Sequence, residues 1–135
     1  MNIGATGRAG EDEALAEYLR RGFTLTERNY QTRWGEIDLI VTDGKTVVFC
    51  EVKTRTPRSR MKGTTAMTLA KKRKIFKTAL LYMQAAQLPL TVQPRFDVAE
   101  IDGRWVVLDG KEAFLVDRLC IYENAFGSEV YDGFI

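Results

Sequence analysis

The feature that most restricts the fold is a pair of apolar segments joined by the dipeptide Asp43-Gly44. Residues 35–42 and 46–54 are rich in aliphatic side chains, and an Asp-Gly pair between two such segments is a strong indication of a β-hairpin. The middles of both segments are apolar at consecutive positions, which is typical of strands covered on both faces. We therefore expect a hairpin inside a sheet that is covered by helices.

The remaining elements follow from apolar periodicity and from helix-forming residues. In chain order the sequence predicts a helix over 11–21 that Gly10 precedes, a strand over 23–30, a polar basic loop over 57–63, a helix over 65–87, a strand over 95–101 and a short strand over 104–108 that pairs with it. Residues 113–125 are ambiguous between strand and short helix, and 127–135 are expected to form a tail. The order predicts one α/β domain over residues 1–135, with a mixed sheet and helices against it.

The chain contains no histidine, and this excludes several kinds of chemistry. Histidine-based zinc sites, Ser-His-Asp triads and Cys-His dyads cannot be built within it. Hydrolysis would have to use carboxylates, lysines and a hard metal ion. The two cysteines are far apart in sequence, so reduced thiols and a cytoplasmic location are expected. Residues 1–10 lack an apolar signal-peptide segment, and nothing approaches the ~20 apolar residues of a membrane helix.

The charges are unevenly distributed along the chain. Residues 53–96 contain eleven Lys and Arg residues and no acid, whereas residues 1–52 contain six basic and nine acidic residues and 97–135 contain three and nine. A solvated face is the ordinary interpretation of such a block. Because this block begins at Lys53, beside a pair of carboxylates, it favours an anionic polymer such as nucleic acid as the partner.

A two-residue turn at Asp43-Gly44 fixes the register of the hairpin, with Thr42 opposite Lys45. Asp38 and Glu51 are then diagonal neighbours, with Cα atoms ~7–8 Å apart. Strand alternation places Lys53 on their face as well. The residues predicted on that face are Glu36, Asp38, Ile40, Val47, Phe49, Glu51 and Lys53.

Two carboxylates on covered strands need a compensating cation. Burying an unpaired carboxylate costs several kcal/mol, at least roughly, and two facing acids also repel each other. Lys53 is one candidate cation, and Mg²⁺ or Mn²⁺ is the other. The alternative interpretation is an Asp-Lys-Glu ion network that only braces the sheet.

Two further residues are candidates for the same site. Glu11 lies at the edge of the apolar stripe of the first helix, either as an exposed capping acid or as a carboxylate directed at the sheet. Lys71 lies on the inner stripe of the long helix, four positions before Ile75. It could supply a second cation, or it could be a lysine that extends along the helix edge to solvent.

Asp38 followed, after twelve residues, by Glu51-Val52-Lys53 resembles the PD-(D/E)xK nuclease signature. A longer set of motifs is more specific: Gly10-Glu11, Gly22-Phe23, Arg28-Asn29-Tyr30, Gly35-Glu36-Ile37-Asp38-Leu39-Ile40, Val48-Phe49-Cys50-Glu51-Val52-Lys53-Thr54-Arg55, Arg95-Phe96-Asp97-Val98 and Glu123-Asn124-Ala125-Phe126. Together they resemble the bacterial YraN family of predicted endonucleases, which is distantly similar to archaeal Holliday junction resolvases. The resemblance covers about residues 7–126. The sequence departs from the signature at Ile37, where the proline would stand, and Cys50 replaces a more usual aliphatic residue.

The resemblance implies a restriction-endonuclease-like fold with an α-β-β-β-α-β core. It also implies that Glu11, Asp38 and Glu51 bind Mg²⁺ or Mn²⁺ and that Lys53 is the catalytic lysine. Our hypothesis is metal-assisted hydrolysis of phosphodiester bonds in DNA, with the Val52 carbonyl as a further metal ligand. The basic residues expected to bind the DNA backbone are Arg55, Arg58, Arg60, Lys62, Lys71, Lys72 and Arg73.

Two other functions remain open at this stage. One is a nucleic-acid-binding protein without turnover, and the other is a structural or partner-docking protein. A resolvase would need a symmetric dimer, because it must place two sites on two strands. The apolar residues 113–122 are the candidate dimer interface.

Overall fold

The computed structural model describes residues 3–61 and 67–127. The elements are α1 (Ile3–Arg20), β1 (Thr24–Thr32), β2 (Gly35–Thr42), β3 (Thr46–Arg55), α2 (Pro57–Met61), α3 (Leu69–Ala85), β4 (Gln93–Leu108) and β5 (Lys111–Tyr122). The strands form one sheet in the order β1-β2-β3-β4-β5. Among the strands of the described residues, only β3 and β4 are parallel. A parallel pair requires a crossover connection, and this connection contains α2 and α3. The predicted α-β-β-β-α-β order is confirmed.

Helices cover the central strands on both faces, which explains the absence of alternation in their sequences. On one face α1 contributes Ala14 and Tyr18 to a buried cluster with residues of β2, β3 and β4. On the other face α3 contributes Ile75, Phe76, Ala79 and Tyr82 to a second cluster. The strand residues that belong to the first cluster are Leu39, Val41, Val48, Cys50, Ala99 and Ile101. Those in the second include Ile37, Ile40, Val47, Phe49 and Phe96.

The predicted start of the first helix is wrong, because α1 begins at Ile3 and passes through Gly10. Glycine is a poor helix former, but contacts with the rest of the fold override this preference. Gly10 is buried, and a Cβ atom at this position would overlap the side chain of Thr54 on β3. In the first turns, Thr6 Oγ1 accepts a hydrogen bond from Trp105 Nε1 at 3.0 Å. Gly10 therefore permits a close contact between helix and sheet rather than marking the end of a loop.

The predicted pairing of residues 104–108 with residues 95–101 is also wrong, because both segments belong to the single strand β4. The partner of β4 is β5, which resolves the ambiguous residues 113–125 as strand up to Tyr122. Asp109 (φ 52°) and Gly110 (φ 78°) join the two strands, and positive φ at both positions is typical of a two-residue hairpin turn. An Asp-Gly pair thus marks this hairpin as well.

The predicted loop over 57–63 contains the short helix α2. Proline is favoured at the first helical position, and Thr56 and Ser59 cap this turn reciprocally: the Thr56 N–H donates to Ser59 Oγ at 2.8 Å, and the Ser59 N–H donates to Thr56 Oγ1 at 3.3 Å. The long helix begins later than predicted, at Leu69, where Thr68 accepts from the Lys71 N–H. Residues 62–66 and most of the predicted tail, 128–135, lie outside the described residues.

None of the helices within residues 3–61 and 67–127 has the length and apolar character needed to cross a membrane.

Candidate active site

The β2–β3 hairpin has a longer turn than predicted. Thr42 pairs with Val47, not with Lys45, because Asp43 organises a four-residue turn in which its Oδ1 accepts the N–H groups of Lys45 (2.9 Å) and Thr46 (2.8 Å). The register is therefore displaced by two residues, and the expected diagonal arrangement of the carboxylates is wrong. An even displacement keeps side chains on their predicted face wherever the strands alternate regularly.

Asp38 and Glu51 come closer in register than the diagonal arrangement would allow. The paired residues end at Leu39 opposite Cys50, and one further step on each strand brings Asp38 opposite Glu51. Asp38 Oδ2 accepts a hydrogen bond from the Val52 N–H at 2.8 Å. Because the N–H and C=O of one strand residue point to the same neighbouring strand, the Val52 carbonyl is directed to the side where Asp38 lies.

Strict alternation along β2 fails at Asp38. Ile37 and Ile40 belong to the α3 cluster, whereas Leu39 between them belongs to the α1 cluster. Asn29 on β1, between the residues that pair with Leu39 and Ile37, has a φ of 53°, a left-handed conformation in which asparagine is enriched. The predicted placement of Glu36 in one row with Asp38 and Glu51 is therefore wrong, and its side chain is exposed.

The two carboxylates differ in their surroundings. Burial raises the pKa of Asp38 to about 7, and the charge of Glu51 adds to the effect. Glu51 is 11% exposed, and its Oε1 accepts an ion-pair contact from Lys71 Nζ at 2.6 Å. This hydrogen bond raises the pKa of Lys71. The expectation that Lys71 could supply a cation here is confirmed for Glu51.

Glu11 reaches the site from the helical side. It lies in the middle of α1, not at its start, and its side chain is 14% exposed, so the interpretation as an exposed capping acid is wrong. Its Oε1 accepts from Arg28 Nε and Asn29 Nδ2, both at 3.3 Å. The charge of Glu11 also contributes to the raised pKa of Asp38, which places the two carboxylates in electrostatic contact.

Lys53 is half-buried on β3, two residues beyond Glu51. Alternation is intact along β3, since Val47 and Phe49 face α3 while Val48 and Cys50 face α1. Lys53 therefore shares the face of Glu51, as predicted. Its parallel neighbour on β4 is Glu100.

The basic residues predicted to bind DNA lie in several environments. Arg55 contacts Glu100 (3.5 Å) and Asp102 (3.1 Å), and Arg60 contacts Asp102 (3.5 Å). These two arginines therefore neutralise carboxylates of β4. Arg58 on α2 and Arg73 on α3 are exposed, Lys72 Nζ lies 5.9 Å from the centre of the Phe126 ring, and Lys62 lies outside the described residues.

A buried network beneath the site was missed from the sequence. Asp97 is fully buried; it accepts hydrogen bonds from the Tyr18 hydroxyl (2.7 Å), from Arg95 Nε and Nη2 (2.9 Å each) and from the Asn124 N–H (2.9 Å). This carboxylate joins α1, β4 and the segment after β5. The motif around Asp97 is visible in the sequence, but Tyr18 is 79 residues away and has the ordinary pattern of a core residue.

Cys50 is buried in the core, and its Sγ donates to the Glu51 carbonyl at 3.6 Å. Burial raises the pKa of its thiol far above the usual range, so the group stays neutral in the core. The expectation of a harmless substitution agrees with this position.

Asp38 and Glu51 supply carboxylate oxygens, a ligand type that hard divalent ions prefer. Within residues 3–61 and 67–127 no three His, Cys, Asp or Glu side chains are grouped closely enough to hold a metal. The carboxylates of Asp38 and Glu51 and the carbonyl of Val52 are oxygen donors on neighbouring strands, and Mg²⁺ combines such oxygens with several waters. The residues therefore fit such an ion.

The fold is a mixed α/β protein in which Asp38 and Glu51 lie on adjacent strands, with a lysine two residues beyond Glu51. A family model described as "Uncharacterised protein family UPF0102" matches residues 10–101, a range that includes Glu11, Asp38, Glu51 and Lys53. The chain belongs to the UPF0102 family, and the resemblance to YraN proteins is confirmed.

Relatives in other bacteria match most of the chain. A UPF0102 protein of Desulforapulum autotrophicum is 38% identical over 123 residues, which cover 91% of this chain and 93% of that protein. A UPF0102 protein of Geobacter metallireducens is 43% identical over 95 residues, or 70% and 77% of the two chains. One of Herminiimonas arsenicoxydans is 38% identical over 97 residues, or 72% and 77%.

Proposed function

We propose that the protein is a Mg²⁺-dependent endonuclease that hydrolyses phosphodiester bonds in DNA. The observation that carries the proposal is the 2.8 Å hydrogen bond from the Val52 N–H to Asp38 Oδ2, which brings Asp38 to the part of β3 where Glu51 and Lys53 flank Val52. A covered site with two acids and one adjacent lysine is costly for a purely structural element. It is suited to binding a cation and an anionic substrate together.

Each residue then has a separate task. Asp38, Glu51 and the Val52 carbonyl would hold the metal ion, which when bound lowers the pKa of a coordinated water and neutralises phosphate charge. Lys53 orients the attacking water and stabilises negative charge that develops on the phosphoryl oxygens. Glu11 accepts from Arg28 and Asn29 and adds negative potential beside Asp38. Lys71 is the counter-ion of Glu51 when no metal is bound.

The charge of the surrounding surface supports an anionic substrate. The helix α3, whose Lys71 contacts Glu51, contains five lysine and arginine residues and no acid. Such a surface attracts the DNA backbone without distinguishing sequences. We propose that phosphates are contacted by Lys72 and Arg73 on this helix and by Arg58 on α2.

The test is cleavage of duplex, single-stranded and branched DNA with Mg²⁺ or Mn²⁺. Lys53→Ala should lower the rate by about 10²–10³-fold, as loss of one charge-stabilising group does. Asp38→Asn should abolish the metal dependence, because the amide keeps an acceptor for the Val52 N–H but loses the charge. Lys45→Ala is the matched control, since Lys45 is exposed in the turn at the opposite end of the same hairpin. Equal cleavage by the Lys53 and Lys45 variants would contradict the role of Lys53.

A DNA-binding protein without turnover is the second candidate. The observation in its favour is the 2.6 Å contact from Lys71 to Glu51, which satisfies one carboxylate without metal. The two functions differ in a Mn²⁺ titration. The nuclease should show a saturable site that is absent in Asp38→Asn, whereas the binding protein should show salt-dependent DNA binding and no such site.

A further inference from the structure

An exposed indole lies on the tight turn between β1 and β2. Trp34 is 38% exposed, and the turn fixes its position: the Trp34 N–H donates to Thr32 Oγ1 at 3.1 Å, and that hydroxyl donates to the Gly35 carbonyl at 3.4 Å. A large aromatic side chain at the surface is informative when its backbone is held in this way. Trp34 is presented on a braced turn, at the end of β2 that also carries Asp38.

Gly35 brings this turn against α3. A Cβ atom at Gly35 would lie 3.3 Å from Thr78 Oγ1 and 3.5 Å from Lys74 Cβ, so the strand and the helix approach each other closely. The indole therefore stays beside the basic residues of α3.

Cations surround the indole. Lys77 Nζ lies 3.4 Å from the centre of the Trp34 ring, and Arg33 Cζ lies 4.7 Å from it. Lys71, Lys74 and Lys77 are spaced three residues apart on α3, over ~9 Å of helix. Lys71 contacts Glu51 and Lys77 lies over the ring of Trp34. Between them, Lys74 Cβ lies 3.5 Å from the place that a Cβ atom at Gly35 would take. These lysines form a basic row from the carboxylate pair to the indole.

The exposed acid close to this row is Glu36, which acts on the pKa of Lys71 together with Glu51 and Asp38. Its neighbour across the hairpin is Gln31, whose Nε2 donates to Glu36 Oε2 at 3.4 Å. Arg33, Lys74 and Lys77 at the Trp34 end have no ion pair in the described part of the chain. Positive charge therefore exceeds negative charge around the indole.

We propose that Trp34 stacks against an unpaired base of the DNA substrate while Lys74, Lys77 and Arg33 bind the adjoining phosphates. An indole binds any base through its π-face, and cations beside the ring bind the backbone that carries it. A paired base inside a duplex is stacked on both sides, so the indole selects DNA with a single-stranded, extruded or branch-point base. Of the two cations at the ring, the exposed guanidinium of Arg33 is the more distant. The incoming base replaces this guanidinium at the indole, and Arg33 then binds a phosphate.

The position of Trp34 also sets where cleavage occurs, and this clause rests on the proposed nuclease function. Trp34 precedes Asp38 by four residues of strand, or roughly 13 Å. The scissile phosphate therefore lies a few nucleotides from the unpaired base. The substrate class is DNA that joins an unpaired segment to the strand that is cut.

The test measures binding in EDTA, so that it does not depend on cleavage. The probes are a labelled oligothymidine and an oligonucleotide of the same length and charge in which every base is replaced by an abasic site. Trp34→Ala should weaken binding of oligothymidine by roughly fivefold to a hundredfold, the range for loss of one base-stacking aromatic residue. It should leave the affinity for the abasic probe unchanged. Oligothymidine should also quench a component of the tryptophan fluorescence that is missing in Trp34→Phe.

Trp34→Phe is the control for disruption of the turn. It retains an aromatic ring and should therefore keep most of the affinity for oligothymidine. The proposal is overturned if Trp34→Ala weakens binding of both probes equally, which would mean that the ring only positions the cations. It is also overturned if oligothymidine leaves the Trp34 fluorescence unchanged. If either of those results is found together with cleavage that requires metal and Lys53, the stacking proposal is refuted and the nuclease function is retained. If the protein binds bases selectively but cleaves none of the substrates, the nuclease function is refuted and the stacking proposal is supported.

Discussion

Asp38→Asn should stabilise the metal-free protein at alkaline pH. Burial and the charge of Glu51 raise the pKa of Asp38 to about 7, against 3.8 for the ordinary group. Since each pKa unit corresponds to ~1.36 kcal/mol, ionised Asp38 costs the folded state on the order of 4 kcal/mol. Asparagine removes this cost and keeps a carbonyl oxygen for the 2.8 Å hydrogen bond from the Val52 N–H.

The sign of the pH dependence follows from the direction of the shift. A carboxyl group whose pKa is raised on folding stabilises the protein while it is protonated. That stabilisation is complete below its ordinary pKa of 3.8 and is lost as the pH rises to about 7. The wild-type protein in EDTA should therefore lose stability between these limits, whereas the Asn variant should lose less. The gain from the substitution should be about 2–3 kcal/mol larger at pH 8 than at pH 5.

Urea denaturation in EDTA at the two pH values measures this difference. Glu112→Gln is the matched control, because Glu112 is exposed on β5, a strand that is not adjacent to β2 or β3, and its replacement should give no pH-dependent gain. The reasoning is refuted if Asp38→Asn is less stable than the wild type at pH 8, or if its effect is equal at both pH values. Addition of Mg²⁺ should then stabilise the wild type and leave the variant unchanged.

Three other substitutions test separate parts of the structure. Gly10→Val should destabilise the protein by about 1–3 kcal/mol through overpacking against β3. Gly7→Ala is its control, because a Cβ atom at Gly7 meets no atom within 4 Å, and this variant should keep the wild-type stability. Thermal denaturation measures both effects. Tyr18→Phe should cost about 1–3 kcal/mol in urea, since it removes a donor from the buried carboxylate of Asp97. Lys53→Ala should lose cleavage activity while its denaturation midpoint stays near that of the wild type, and a collapse of both together would count against a catalytic role.

The sequence was sufficient for the central hairpin and for the shared face of Glu51 and Lys53 on β3. It was insufficient for the register, because a side-chain contact decides the turn. Asp43 Oδ1 accepts two backbone N–H groups, which makes the four-residue turn preferable to a two-residue one. Glu51 and Lys53 share a face because alternation is intact along β3, whereas along β2 it breaks at Asp38.

Features that depend on distant contacts were not predictable in the same way. The start of α1 was misplaced because glycine usually weakens a helix, and only the position of Thr54 shows why Gly10 belongs inside one. The break of alternation at Asp38 depends on the left-handed Asn29 of the neighbouring strand. Local preferences fix the type of an element, whereas packing partners fix where it begins and where its side chains point.

The ion pair between Lys71 and Glu51 has a thermodynamic consequence. In the metal-free protein the ammonium group neutralises Glu51, so the fold does not depend on metal to remain closed at this point. If Mg²⁺ displaces Lys71, the freed lysine joins the positive surface of α3 and becomes available to phosphate. Metal and DNA would then each raise the affinity for the other by the same factor, because such coupling is reciprocal. A single lysine would in this way act as an exchangeable internal ligand whose release links the loading of the metal to the capture of the substrate.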